Sequence, residues 1–126
     1  HMGSAACQSA SLMKKVMREI KKRDLIFIDS RTSPDSVAYE IAKKEGLLCS
    51  YNEGFIDSPE TRVKMRERFD DLIAAAKKKG KIVAIAHPKG ETIAFLREQI
   101  KRRRKELEFI TIKDYFNLDD FPQPNE

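Results

Sequence analysis

The chain has no tryptophan, and only two histidines, two cysteines, five glycines and five prolines among its 126 residues. Cys7 and Cys49 make no metal-ligand spacing and are too few for a disulfide framework, although a single bridge stays open. No apolar run approaches the roughly 18 residues that a membrane-spanning helix requires. The first residues show no signal-peptide pattern. They also do not open on an initiator Met, which fits either an expression-derived start or a segment of a longer protein. Internal repeats and low-complexity stretches are absent. Charge of one sign is not in large excess, since 25 Lys and Arg face 20 Asp and Glu for a net +5. The densest basic run, Lys101-Arg102-Arg103-Arg104-Lys105, has no aromatic residues interleaved. That weakens a nucleic-acid interface, which would combine cations with stacking platforms. The run reads as the solvated end of a helix, where cations suit the dipole.

What is present is an alternation of helix and strand signals. Apolar content of 40% is enough for one core, and charged content of 36% implies helices with heavily solvated outer faces. Met13, Val16, Met17 and Ile20 fall at helical spacing. An apolar run over 25–28 reads as a strand. Ser33-Pro34 then signals a helix start, Val37, Ala38, Ile41 and Ala42 give its inner face, and Gly46 its C-terminal cap. Residues 47–50 read as a weak strand followed by a loop over 51–57. Ser58-Pro59-Glu60 repeats the helix-start signal, with Met65, Phe69, Leu72, Ile73 and Ala76 as the buried stripe and Gly80 as the stop. A strand over 82–86 follows, then a helix with Ile93, Leu96 and Ile100 inward, then a last strand from Phe109, Ile110 and Ile112. This order predicts an α/β fold with a parallel sheet and flanking helices.

In such folds chemistry collects at the carboxyl ends of the strands. The strand over 25–28 runs into Asp29-Ser30-Arg31-Thr32-Ser33, and the strand over 82–86 into His87-Pro88. Asp57 closes the loop after the weak strand. The expectation is one rim carrying Asp29, Asp57 and His87. Each residue also has a plain structural alternative. His87 could serve only as a hydrogen-bonded strand-end residue. Asp29 could pair with Arg31 or cap the next helix, and Arg31 could sit in an internal salt bridge. Ser30 and Thr32 are common turn and cap residues. Asp57 could be a helix N-terminal charge. Tyr51 and Phe55 could stack on a sugar ring, with a core position the alternative for Phe55.

Several segments in order resemble the divergent polysaccharide deacetylase family, relatives of the NodB-type carbohydrate esterases. They are His1-Met2-Gly3-Ser4, Leu12-Met13, the run from Phe27 to Ser33, Ser36-Val37-Ala38, Phe55-Ile56-Asp57, and Ile85-Ala86-His87-Pro88 with Thr92. The first four letters also arise as an expression scar, but Met13 and Asp29 fall in register with them, which favours a native origin. The resemblance implies that residues 1–118 are the C-terminal portion of a NodB-like (β/α) barrel domain, with 119–126 a flexible tail. It departs from the family at Asn52, where relatives tend to carry Arg, at Ala86 for Gly, at Gly90 for Pro, and at Cys7 for a hydroxyl residue.

The resemblance implies a metal-dependent hydrolase acting on the amide-linked acetyl group of an N-acetyl sugar or polysaccharide. A divalent ion, zinc by this reading, would activate water and polarise the carbonyl in the intact domain. An imidazole would protonate the leaving amine. His87 and Asp29 are the catalytic residues implied, Asp29 orienting His87 or ligating the metal. Arg31, Ser30 and Asp57 are the substrate-binding residues, and His1 is a metal ligand. The family's upstream aspartate pair and histidine motif are not in this sequence. The expectation is therefore a chain whose metal site is incomplete and that is inactive by itself, associating with a second copy or with the missing half. Two other readings remain: a carbohydrate-binding or structural remnant of the fold, and a basic nucleic-acid-binding domain. Relatives imply a bacterial envelope or periplasmic location.

Overall fold

The computed structural model describes residues 3–58 and 61–118. Expectations placed on His1, Met2, Pro59, Glu60 and the tail over 119–126 lie outside the described residues. The elements in order are α1 (Ser4–Cys7), α2 (Ala10–Lys21), β1 (Phe27–Asp29), α3 (Ala38–Lys44), β2 (Cys49–Phe55), α4 (Arg62–Lys79), β3 (Val83–Ile85), α5 (Gly90–Arg103) and α6 (Ile112–Tyr115). They divide into two compact units, one holding α1 to α3 and the three strands, the other holding α4 to α6.

In the first unit the strands form a parallel sheet of order β1-β2-β3. Phe27 aligns with Cys49 and Asp29 with Tyr51, while Asn52 aligns with Val83 and Phe55 with Ile85 across an irregular stretch of β2. Helix α2 starts where the Ser9 hydroxyl accepts the Leu12 N–H. Its helical-period stripe is buried as expected, with Met13 and Met17 packed on Ala38, Ile41 and Ala42 of α3. Phe27 and Cys49 reach the same cluster from the sheet. The fold is thus α/β, a parallel sheet flanked by helices. Gly46 follows α3 at φ 75°, a conformation that any Cβ would strain. Cys7 and Cys49 are both free thiols.

In the second unit Thr61 caps α4, its hydroxyl accepting the Lys64 N–H. Met65, Phe69, Leu72 and Ile73 are buried, and Ala76 is half-buried. The Phe69 and Phe95 rings meet edge to face, with centroids 5.7 Å apart, a favoured arrangement of ring quadrupoles. Arg62 pairs with Glu98, Asp70 with Arg103, and Lys77 with Glu106. These pairs tie α4 to α5 and to the turn just after it. Arg102 and Arg103 of the basic run are therefore in ion pairs, the first with Glu98.

Five expectations are corrected. The strand after α3 is not weak and short: β2 continues through Phe55, taking in most of the expected loop. Helix α3 begins at Ala38, not at Ser33-Pro34. Ser33 instead accepts the Asp35 N–H in a local turn. The cap of α4 is Thr61, not Ser58. Helix α5 buries Thr92, Phe95 and Gln99, leaving Ile93 and Ile100 exposed. Finally, residues 109–112 form no strand. Thr111 and Asp114 make a reciprocal capping box that opens α6, and a satisfied helix start competes with an extended run. Phe109, Ile110 and Ile112 are left exposed.

Truncating Phe69 to Ala removes a buried ring and its aromatic partner, a loss of about 3–5 kcal/mol. Arg103→Ala removes only exposed ion pairs and should cost about 1 kcal/mol or less. Urea melts of the two variants check this, and equal losses would show that α4 does not bury the face described.

Candidate functional site

Asp57 lies two residues beyond the end of β2, and His87 two residues beyond the end of β3. The Asp57 side chain is almost wholly buried, at 1% exposure, whereas the His87 side chain is 53% exposed. Three donors converge on the carboxylate. The His87 backbone N–H donates to Oδ2 at 2.9 Å, Thr92 Oγ1 donates to Oδ2 at 3.0 Å, and His87 Nδ1 lies 2.9 Å from Oδ1. Burial by itself pushes the Asp57 carboxyl upward. The hydrogen bonds from the His87 ring and N–H and from Thr92, with the charge of His87, outweigh it and hold the group below the usual aspartate range. An ionised Asp57 can only accept, so Nδ1 must carry the proton it shares. In the neutral ring Nε2 is then the acceptor nitrogen. This is the arrangement by which a carboxylate fixes the tautomer of a working imidazole.

Thr92 stands in the first turn of α5 and is buried. Its hydroxyl fixes Asp57 as Asp57 fixes His87. The sequence placed Thr92 only among the resembling positions, and its role was missed. An apolar-stripe reading of α5 pointed to Ile93 instead.

Asp29, expected to orient His87, has other partners. It is the last residue of β1 and is buried. Oδ1 accepts the Arg31 N–H at 2.9 Å, while Oδ2 accepts Ser36 Oγ at 2.8 Å and the Tyr39 N–H at 3.2 Å. Asp29 therefore closes the loop after β1 and caps α3 from outside that helix, replacing the cap expected of Ser33. The carboxylate on the His87 ring is Asp57. Ser30 takes part through its carbonyl, which accepts Asn52 Nδ2 at 3.1 Å. Asn52 Oδ1 in turn accepts the Gly54 N–H at 3.0 Å.

Arg31 is held at φ 48°, unusual for a residue with a Cβ. Its guanidinium carbon lies 3.7 Å from the centroid of Tyr51 and 5.7 Å from that of Tyr39. Those two rings meet edge to face at 4.7 Å. Arg31 lines a cavity of about 420 Å³, which Ser33, Ser36, Asn52, Glu53 and Phe55 also line.

His1, the expected metal ligand, lies outside the described residues. Among the described residues no three His, Cys, Asp or Glu side chains converge as a metal site. The described residues do not by themselves form a site for the ion that the resemblance implies. No helix among the described residues is long and apolar enough to cross a membrane.

The sequence profile described as divergent polysaccharide deacetylase matches residues 1–116. An uncharacterized protein of Haemophilus influenzae is 34% identical over 110 residues, 87% of this chain and 39% of its own length. The Escherichia coli protein YibQ, also uncharacterized, is 26% identical over 117 residues, 93% of this chain and 37% of its own. The crystal structure of an uncharacterized protein from Agrobacterium tumefaciens superposes with a TM-score of 0.78 at 26% identity, over 83% of this chain and 43% of that one. The chain thus spans well under half the length of each of these relatives.

The lowered titration of Asp57 carries a pH dependence. Unfolded aspartate titrates near 3.9 or so, and the folded group titrates lower. Its contribution is therefore complete above the unfolded value and is lost as pH falls through the folded one. The gap between the unfolding free energies of the native chain and Asp57→Asn should narrow as pH falls below about 5 and through the folded Asp57 titration. A gap of the same size at every pH would contradict the ionised, hydrogen-bonded Asp57 described.

Proposed function

Because the chain belongs to the divergent polysaccharide deacetylase family, we propose that it supplies the proton-donating part of an N-acetyl-sugar deacetylase, with His87 as the acid. The observation that supports this is the buried Asp57 carboxylate on His87 Nδ1. Hydrolysis of an acetamide forms a C–O bond to the carbonyl carbon and breaks the C–N bond. The departing nitrogen must be protonated as it leaves, since an amide anion is far too basic to be expelled at neutral pH. An imidazolium with Nδ1 held by a carboxylate can give that proton from Nε2, and such transfer is worth about 10²–10⁴-fold in rate. Asp57 acts as a positioning residue, and Thr92 holds Asp57 in turn.

Water activation and carbonyl polarisation need groups beyond this assembly. We place them outside the described residues, in keeping with a chain that spans less than half of its relatives. The chain by itself is then expected to be inactive, and an envelope or periplasmic location follows from the family reading. A polysaccharide or N-acetyl sugar oligomer is the substrate class. The second reading is a carbohydrate-binding descendant without turnover. The cavity at Arg31, built without His87, favours it.

Acetate release from N-acetylglucosamine oligomers decides between them. The full-length gene product should release acetate, and His87→Ala should lower kcat by about 100-fold or more with a small change in KM. Asp57→Asn should lower kcat less, with KM little changed, and move the neutral His87 ring away from the Nδ1–H tautomer, which a purely structural role would leave in place. Residues 1–126 alone should release none. Undiminished turnover in His87→Ala would overturn the acid assignment. Binding of the oligomer without acetate release under any metal supplement would establish the second reading.

A further inference from the structure

We propose that the cavity at Arg31 is a binding site for an acidic sugar, with the ligand's carboxylate on the Arg31 guanidinium. Neither His87 nor Asp57 lines it, so it can be measured as binding alone.

A guanidinium so placed has two ordinary fates. The first, an internal salt bridge with Asp29, is not what the structure shows. Asp29 accepts the Arg31 backbone N–H, and its remaining bonds go to Ser36 and Tyr39. Among the described residues no carboxylate pairs with the Arg31 side chain. The second fate is to serve as a docking fork. Stacking at 3.7 Å on Tyr51, with Tyr39 behind, uses the face of the guanidinium. The N–H donors lie in its plane and are not consumed by that contact. A guanidinium oriented in advance loses less freedom on binding, which favours bidentate recognition of a planar oxyanion.

The surroundings choose among anions. Glu53 lines the same cavity, so one positive and one negative side chain border it. A phosphate dianion would meet more repulsion from the Glu53 carboxylate than a monoanion does. A monoanionic carboxylate needs only the one cation. Hydroxyl groups on the same ligand can donate to carboxylate and backbone oxygens. The cavity, about 420 Å³, lies within the range of small-molecule sites, and its polar lining suits a hydroxylated ligand. Phe55 and Pro34 supply the small apolar part that a sugar's C–H face requires. A sugar acid satisfies the charge, the hydroxyl content and the size together.

Titration of the chain, followed by NMR of the Arg31 Nε–H and the tyrosine rings, tests this with glucuronate, glucose and inorganic phosphate as probes. Glucuronate should shift the Arg31, Tyr39 and Tyr51 signals and saturate, with glucose and phosphate binding at least about tenfold more weakly. Arg31→Gln should weaken glucuronate by about tenfold or more, and Arg31→Lys, which keeps the charge but loses the fork, by less. Should Arg31→Gln fail to fold, Glu53→Gln gives the same answer from the other side, since it should strengthen phosphate binding while glucuronate still binds. Glucose binding as tightly as glucuronate would overturn the proposal. So would phosphate binding more tightly than glucuronate to the unaltered chain, or shifts that bypass Arg31 and both tyrosines.

Discussion

The buried carboxylate of Asp57 is the constraint on which the site depends. A carboxylate at 1% exposure is costly to desolvate unless its oxygens are matched by donors. Here the match comes from residues 30 and 35 positions along the chain, His87 and Thr92. Asp57 therefore holds together the segment after β2, the segment after β3 and the first turn of α5. Removing any one donor leaves a buried charge underbonded, so the three residues stand or fall as a group. The His87 ring inherits its orientation and tautomer from that group.

Asp29 solves the same problem at the end of β1. It too is buried and accepts from the loop and helix that follow it, through Arg31, Ser36 and Tyr39. The consequence differs. Asp57 aims a titratable ring, whereas Asp29 turns the backbone so that Arg31 takes φ 48° and lies on Tyr51. Asn52 reinforces that turn by donating to the Ser30 carbonyl from within β2. One aspartate orients an imidazole, and the other the loop that lays Arg31 on a tyrosine ring.

How much of this was legible in the sequence depended on what each residue reports. The stripes Met13–Met17 and Met65–Phe69–Leu72–Ile73 are apolar at helical spacing and were read correctly, because periodicity records burial directly. Strand β2 was shortened because its interior carries Asn52, Glu53 and Gly54, poor strand formers, with Asn52 donating across to the Ser30 carbonyl and accepting locally from the Gly54 N–H. Helix α5 was rotated in the reading because it buries Thr92 and Gln99 in preference to Ile93 and Ile100. Polar residues buried for their hydrogen bonds leave no hydropathy signal. His87, Asp57, Asp29 and Arg31 were found as chemistry-bearing residues after strands. Which carboxylate meets the imidazole was not written in their spacing, since Asp29 and Asp57 both follow a strand.

The tautomer of His87 tests the central claim most directly. Nitrogen-15 NMR at about pH 9, above the ordinary imidazole range, reports which ring nitrogen carries the proton in the neutral form. The account predicts Nδ1–H in the native chain, with a shift toward Nε2–H when Asp57 is replaced by Asn. A native His87 found mainly as the Nε2–H tautomer would contradict it, because Asp57 would then face a nitrogen with no proton to donate.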